Sequence, residues 1–142
     1  MLTVVIPALN RAPELQGLLA VLVPAAVDGL VRQVIVVGQG STDETADICE
    51  DAGAELVADF GEASARARYD KVLVLPVGMR LKPGWDTVLG AHLARGGQPV
   101  VLGGLRESWF RAPPVGVLTQ RGDLAGAGDF TALRRKARGP RL

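Results

Sequence analysis

The sequence predicts a single α/β domain with a mostly parallel sheet flanked by helices, and three observations predict it. Val34-Ile35-Val36-Val37 is a run of four β-branched apolar residues, the pattern of a strand buried on both faces. A glycine-bearing loop comes directly after it, where Gly38 and Gly40 allow a tight turn and close approach to the backbone. Ser41 with Glu44 three residues on then fits a capping box that starts a helix. Short apolar strands alternate with helical stretches in this way along much of the chain, which implies parallel strands joined by helical crossovers. A length of 142 residues at 48% hydrophobic content suits one domain with a real core.

Taken in order, Leu2 to Ile6 reads as a first buried strand ended by Pro7, with Pro7-Ala8-Leu9-Asn10 as the connection. Pro13 and Glu14 suit the first turn of a helix running to about Val23, where Pro24 stops it. Residues 25–32 bridge to the second strand, Gln33 to Val37, and a capped helix runs from Thr42 to Ala52 with Gly53 as its stop. Glu55 to Val57 reads as a short third strand, Glu62 to Arg68 as a helix, and Lys71 to Leu75 as a fourth strand ended by Pro76. Pro83-Gly84-Trp85 opens a helix to about Arg95, closed by Gly96-Gly97, with Trp85 as a core anchor. Pro99 to Leu102 and Val115 to Thr119 complete six strands. The periodic signal in the last third is weak.

Aromatic residues make up only 4% of the chain, so the core must come from Val, Leu, Ala and Ile. The net charge of +1 gives the domain no strong pull towards nucleic acid or membrane. Arg134, Arg135, Lys136, Arg138 and Arg141 crowd the last nine residues without an acid. They read as a solvated basic tail, 134–142, behind a domain of residues 1–133. Weak contact with anionic lipid is a second reading of that tail, and nucleic-acid binding lacks the stacking aromatics it would need. Cys49 is the one cysteine, which leaves no intrachain disulfide and no thiolate metal cluster. Asn10, Arg11 and Glu14 interrupt the apolar N-terminus, and the ten residues Leu18 to Val27 are too short to span a bilayer. A cytoplasmic protein is expected, at most touching the inner membrane face.

The junction of strand end, glycine loop and helix start favours phosphate or another anion on shape. Asp43 in the helix's first turn would offset the helix dipole and repel such an anion. Ser41 and Thr42 read as caps, Asn10 as a turn cap, and His92 as a surface or half-buried helix residue. Trp109-Phe110 reads as an acceptor-side or partner patch.

Three segments together, Val4-Val5-Ile6-Pro7-Ala8-Leu9-Asn10, Val34 to Thr45, and Val72 to Trp85, resemble family-2 glycosyltransferases of the GT-A fold over roughly residues 1–95. The resemblance implies a nucleotide-sugar donor bound by Pro7, Ala8, Asn10, Gln39, Gly40 and Ser41. Gln39 stands where the family places an acid that meets the nucleotide base, and Gln also offers an acceptor beside a donor. On the residues alone, Gln39 reads as an exposed loop residue ahead of a base contact. Where the family carries Asp-x-Asp, this chain has Pro76-Val77-Gly78, which holds no side-chain oxygen for a hard cation. No metal ligand and no divalent metal cofactor are therefore expected. Arg80 and Lys82, just beyond, are the residues that could neutralise a diphosphate instead, or they are solvated surface cations. Gly128-Asp129-Phe130 is similar to the family turn that precedes the catalytic base, which makes Asp129 the candidate base, with Asp123 as the other late acid.

These features leave two functions. One is a glycosyltransferase of family-2 type, transferring a sugar from a nucleotide-sugar donor, with activity in doubt because the acids are missing. The other is a non-catalytic nucleotide-binding or partner protein on the same fold. A generic dinucleotide fold is disfavoured because no G-x-G-x-x-G comes after the first strand.

Overall fold

A computed structural model describes residues 1–38, 40–106, 109, 114–137 and 141–142. Its elements in chain order are β1 (Leu2–Pro7), α1 (Ala12–Val27), β2 (Val31–Val37), α2 (Thr45–Ala52), β3 (Glu55–Val57), α3 (Phe60–Arg66), β4 (Lys71–Val74), α4 (Trp85–Ala94), β5 (Val100–Gly103), β6 (Val115–Gln120), α5 (Arg121–Ala127) and α6 (Phe130–Lys136). One sheet carries all six strands in the order β3-β2-β1-β4-β6-β5. β1 pairs in parallel with β2 and β4, and β2 with β3, while β6 runs antiparallel to both β4 and β5. The fold is α/β, with a mostly parallel sheet.

Alternate strand residues feed two cores, one on each face, as a period of two requires. Val4, Ile6, Val36 and Leu73 pack with Leu15, Leu18 and Leu22 of α1, Cys49 of α2, and Trp85 and Leu89 of α4. Val5, Ile35, Val72 and Val117 pack with Phe60 and Ala63 of α3, Leu124 of α5 and Leu133 of α6. Each fully buried leucine contributes roughly 1.5–3 kcal/mol relative to exposure. Trp85 is therefore the core anchor that its place at a helix start suggests, and the Cys49 thiol, pushed up by burial, is an inert core group.

Several boundaries differ from expectation for physical reasons. α1 runs through Pro24 to Val27. Pro24 lies on the exposed face of the helix, with Val21 and Val23 on the same surface, where water serves the carbonyl that loses its donor. Ala25 beyond is buried and accepts Leu30 N–H at 3.0 Å, and Asp28 N–H bonds Pro24 O at 3.0 Å. β2 accordingly begins at Val31 rather than Gln33. α3 begins at Phe60 because Asp59 caps it, accepting Glu62 N–H at 2.8 Å, while Glu62 accepts Ala58 N–H at 2.9 Å. The basic segment expected as a solvated tail enters the fold twice. Arg134, Arg135 and Lys136 form the last turn of α6, where cations suit the helix dipole. Leu142 then exchanges backbone bonds with Val101 and Gly103 on the edge of β5, at 2.9 and 3.0 Å.

Gln33 is a buried polar residue on β2. Its carbonyl accepts the Thr3 hydroxyl and Arg68 N–H, and its amide donates to Arg66 O and the Glu55 carboxylate. Three neighbouring segments are thus tied through one side chain. Replacing it with leucine leaves those groups unpartnered, so Gln33→Leu is expected to lower stability by about 1–3 kcal/mol, read from the urea midpoint at an unchanged slope.

Candidate functional site

The parallel strands β1, β2, β3 and β4 deliver their C-terminal ends to one edge of the sheet. β1 leads to β2 on one side, and the chain returns to place β4 on its other side, so the order reverses at β1. A crevice at the carboxyl ends of the strands beside such a reversal is where open α/β sheets bind ligands. A cleft of about 410 Å³ lies there, lined by Pro7, Ala8, Leu9, Arg11, Val37, Gly38, Ala58 and Val77.

The cleft's shape depends on how the loops after β1 and β2 are joined. Ala8 N–H bonds Val37 O at 2.9 Å and Gly38 N–H bonds Val57 O at 3.0 Å, so the ladder continues past the strand ends. Asn10 sits in the left-handed region at φ 54°, which asparagine tolerates. There its side-chain oxygen accepts Thr42 N–H at 2.7 Å and the Thr42 hydroxyl at 3.2 Å. Its own N–H donates to the Ser41 hydroxyl at 3.1 Å, and that hydroxyl donates to Gly38 O at 2.7 Å. Asp43 completes the join. One carboxylate oxygen accepts Ala12 N–H at 3.0 Å; the other accepts Thr45 N–H at 3.1 Å and the Thr45 hydroxyl at 2.5 Å.

This arrangement corrects the capping-box expectation. α2 starts at Thr45, Glu44 is its N-cap without a side-chain cap bond, and Ser41 faces Asn10 and Gly38 instead. It also corrects the expected anion site at that helix start. The Thr45 and Ala12 N–H groups at the two helix starts are already taken by the Asp43 carboxylate, so an incoming phosphate would meet an anion already in place.

Among the residues proposed from sequence, Pro7 and Ala8 line the cleft, while Asn10 and Ser41 form the latch beside it. Gly40 stands next in the loop at φ 95°, with open space where a side chain would be. Gln39 lies outside the described residues, as does Phe110. Arg80 lines a neighbouring hollow of about 390 Å³ with Glu14, Leu18 and Leu105. The Lys82 Nζ lies against Gly103, 3.4 Å from where a Cβ there would stand. Neither cation lines the 410 Å³ cleft. Asp129 is an exposed N-cap whose carboxylate accepts Ala132 N–H at 2.8 Å, and it is no part of the cleft lining. Asp123 is in the first turn of α5. His92 Nε2 lies 2.7 Å from Gln98 O, and Trp109 is 91% exposed.

Sequence reading missed Arg11, which lines the cleft with its Nη2 atom 3.7 Å from where a Cβ on Gly78 would stand. The available signal was its position: a lone cation directly after the turn that ends the first parallel strand.

Residues 3–69 match the profile of Glycosyl transferase family 2. Glucosyl-3-phosphoglycerate synthase from Mycobacterium tuberculosis, in complex with Mn2+, UDP and glucosyl-3-phosphoglycerate, is 26% identical with a TM-score of 0.56, over 71% of this chain and 42% of that one. A crystal structure of a mycobacterial protein is 27% identical at TM-score 0.56, over 71% of this chain and 39% of that one. The synthase with UDP superposes over 84% of this chain and 56% of that one at TM-score 0.62 and 21% identity, a likeness of fold. Over residues 3–69 the chain resembles family-2 glycosyltransferases. The chain spans about two-fifths of the length of the first of these neighbours. Among curated proteins, none matches.

The expectation that this chain has no use for a divalent metal is overturned by the neighbours crystallised with Mn2+ beside UDP. It took missing carboxylates for a missing ion, whereas an ion bound with a nucleotide also draws oxygen ligands from the phosphates. The side chains at 76–78 do not fit an ion by themselves. Val77 is buried among apolar neighbours, and among the described residues no three His, Cys, Asp or Glu side chains gather as a ligand set. No helix among the described residues is long and apolar enough to cross a membrane.

The bonds from Thr45 hold the Asp43 carboxyl below its ordinary value, first through the hydroxyl and then through the backbone. A carboxyl lowered in the folded state contributes stability that is present above its unfolded value and lost as pH falls through the folded one. Asp43→Asn is therefore expected to lower the thermal midpoint at pH 7, with the gap to wild type closing below about pH 4. Thermal melts at both pH values check it.

Proposed function

We propose that this chain binds a nucleoside-diphosphate sugar in the cleft at the ends of β1, β2 and β3 and transfers its sugar to an acceptor. The observation that carries this reading is where the cleft falls. Seven of its eight lining residues, Pro7 to Arg11 without Asn10 and then Val37, Gly38 and Ala58, lie within residues 3–69, the stretch that matches the family. The latch of Asn10, Ser41 and Asp43 holds the wall's two loops in register before a ligand arrives, which reduces the ordering cost of binding. In this reading Pro7, Ala8, Gln39 and Gly40 meet the nucleoside, with the backbone supplying polar groups to an otherwise apolar wall. We place the protein in the cytoplasm, with the cations of α6 facing an anionic membrane surface.

A second reading is favoured by one observation. No carboxylate is among the described lining of the cleft, and the late candidate base, Asp129, is committed to capping α6. A nucleotide-binding subunit without transfer chemistry has the same pocket and no need of a base.

Calorimetric titration with UDP, GDP and UDP-glucose, each with and without Mn2+, tests both. Binding of one nucleoside diphosphate, tightened by the cation, is the expected result. Release of that diphosphate from its sugar conjugate in the presence of acceptors distinguishes the transferase from the binding subunit. Failure of every nucleotide to bind would leave only a scaffold role.

A further inference from the structure

The cleft has one charged residue in its described lining, and that residue is a cation. Pro7, Ala8, Leu9, Val37, Gly38, Ala58 and Val77 give it apolar walls, and Arg11 stands at its side. The guanidinium reaches across from the turn after β1 to the segment after β4. Its Nη2 atom lies 3.7 Å from where a Cβ on Gly78 would be, an ordinary contact distance. The same group pairs through Nε with Glu14 at 3.4 Å, and both side chains are about half exposed. An exposed pair of that kind is held weakly, so a stronger anion can compete for the guanidinium.

We infer that Arg11 is the residue that receives the diphosphate of the donor, a role resting on the nucleotide-binding reading above. Three observations converge on it. The first N–H groups of the helix starts beside the cleft, those of Ala12 and Thr45, are already held by the anionic Asp43, and Pro13 has no N–H to give. The two cations that sequence reading favoured, Arg80 and Lys82, line other surfaces. Arg11 lines the cleft itself, with its Nη2 atom beside Gly78, a position that carries no side chain to cover the guanidinium. A guanidinium presents parallel N–H donors that match phosphate oxygens in pairs, which an ammonium does not. Nucleotide binding then exchanges the Arg11–Glu14 pair for an Arg11–diphosphate pair. Glu14 becomes a competitor for the site.

Substitutions of Arg11 and of Glu14 therefore move the same affinity in opposite directions. The test measures binding of UDP and GDP, and of the corresponding nucleosides uridine and guanosine by NMR shift titration, to wild type, Arg11→Gln, Arg11→Lys and Glu14→Gln in the presence of Mn2+. Arg11→Gln is expected to weaken the bound diphosphate at least about tenfold while leaving the nucleoside unchanged, which also reports an intact pocket. Arg11→Lys is expected to fall between the two. Glu14→Gln is expected to tighten the diphosphate severalfold. Wild-type affinity in Arg11→Gln would overturn this inference alone and leave the nucleotide reading standing. No nucleotide binding by wild type would overturn that reading and this inference with it.

Discussion

The Asp43 carboxylate is the interaction on which the site end of the molecule depends. One oxygen holds the first N–H of α1 and the other holds the first N–H and hydroxyl of α2, so two helices that leave neighbouring strands share a single anion. Each helix start has N–H groups with no partner of its own, and a lone carboxylate supplies partners for both. The geometry of the cleft results from this sharing. Were the two loops independent, the wall made by Pro7 to Leu9 and the wall made by Val37 and Gly38 would each sample their own positions. With Asn10 and Ser41 adding three further bonds between them, they move as one body.

The same fact reassigns the chemistry of the helix N-termini. In many α/β proteins the helix after a glycine loop offers its N–H groups to a phosphate. Here the protein has placed its own carboxylate on the first N–H of each helix, so an anion arriving there would meet a negative charge. This is why a positive side chain in the wall matters more in this chain than in a fold whose helix start is open. Arg11 emerges from the same short turn as Asn10, so its backbone is fixed by the latch even though its side chain is half exposed.

Much of the fold was legible in the sequence because the strands are short, β-branched and bounded by Pro or Gly. Val34 to Val37, Val72 to Val74 and the turn at Pro7 carry their own signals, and burial on both faces leaves them few alternatives. Pro24 misled because a proline is read as a stop, while the leucines at 15, 18 and 22 and Ala25 continue the buried stripe across it. Ser41 and Glu44 misled in a different way. A capping box is a local pattern, and here a residue 31 positions away, Asn10, competes for the serine hydroxyl. The site was legible only in part for that reason. The glycine loop was placed by local signals and Pro7 and Ala8 by the resemblance, whereas the contacts of Asn10, Asp43 and Arg11 arise from pairing between loops that no single window contains. The α5 and α6 helices were not legible, because seven-residue helices that each bury one residue, Leu124 and Leu133, leave little periodicity to read.

The split between the halves of the chain bears on how such a protein can vary. The family-like stretch ends at Tyr69, and among the described residues the cleft takes only Val77 from beyond it. The described wall of the cleft before Val77 is made by backbone, small side chains, Arg11 and one latch, all within the first half. Beyond β4 lies a strand-and-helix scaffold held by apolar packing, closed by the β6–β4 pairing and by Leu142 on the edge of β5. Val77 is itself buried in the core beneath α1, so an apolar residue at that position serves the packing where an acid would have to be desolvated. The fold therefore asks for no carboxylate at residues 76–78, and only the chemistry of a ligand could. A chain on this scaffold can carry apolar residues in place of acids after β4 without losing the sheet, because the packing of Val77 and the β6–β4 pairing make no use of a charge there.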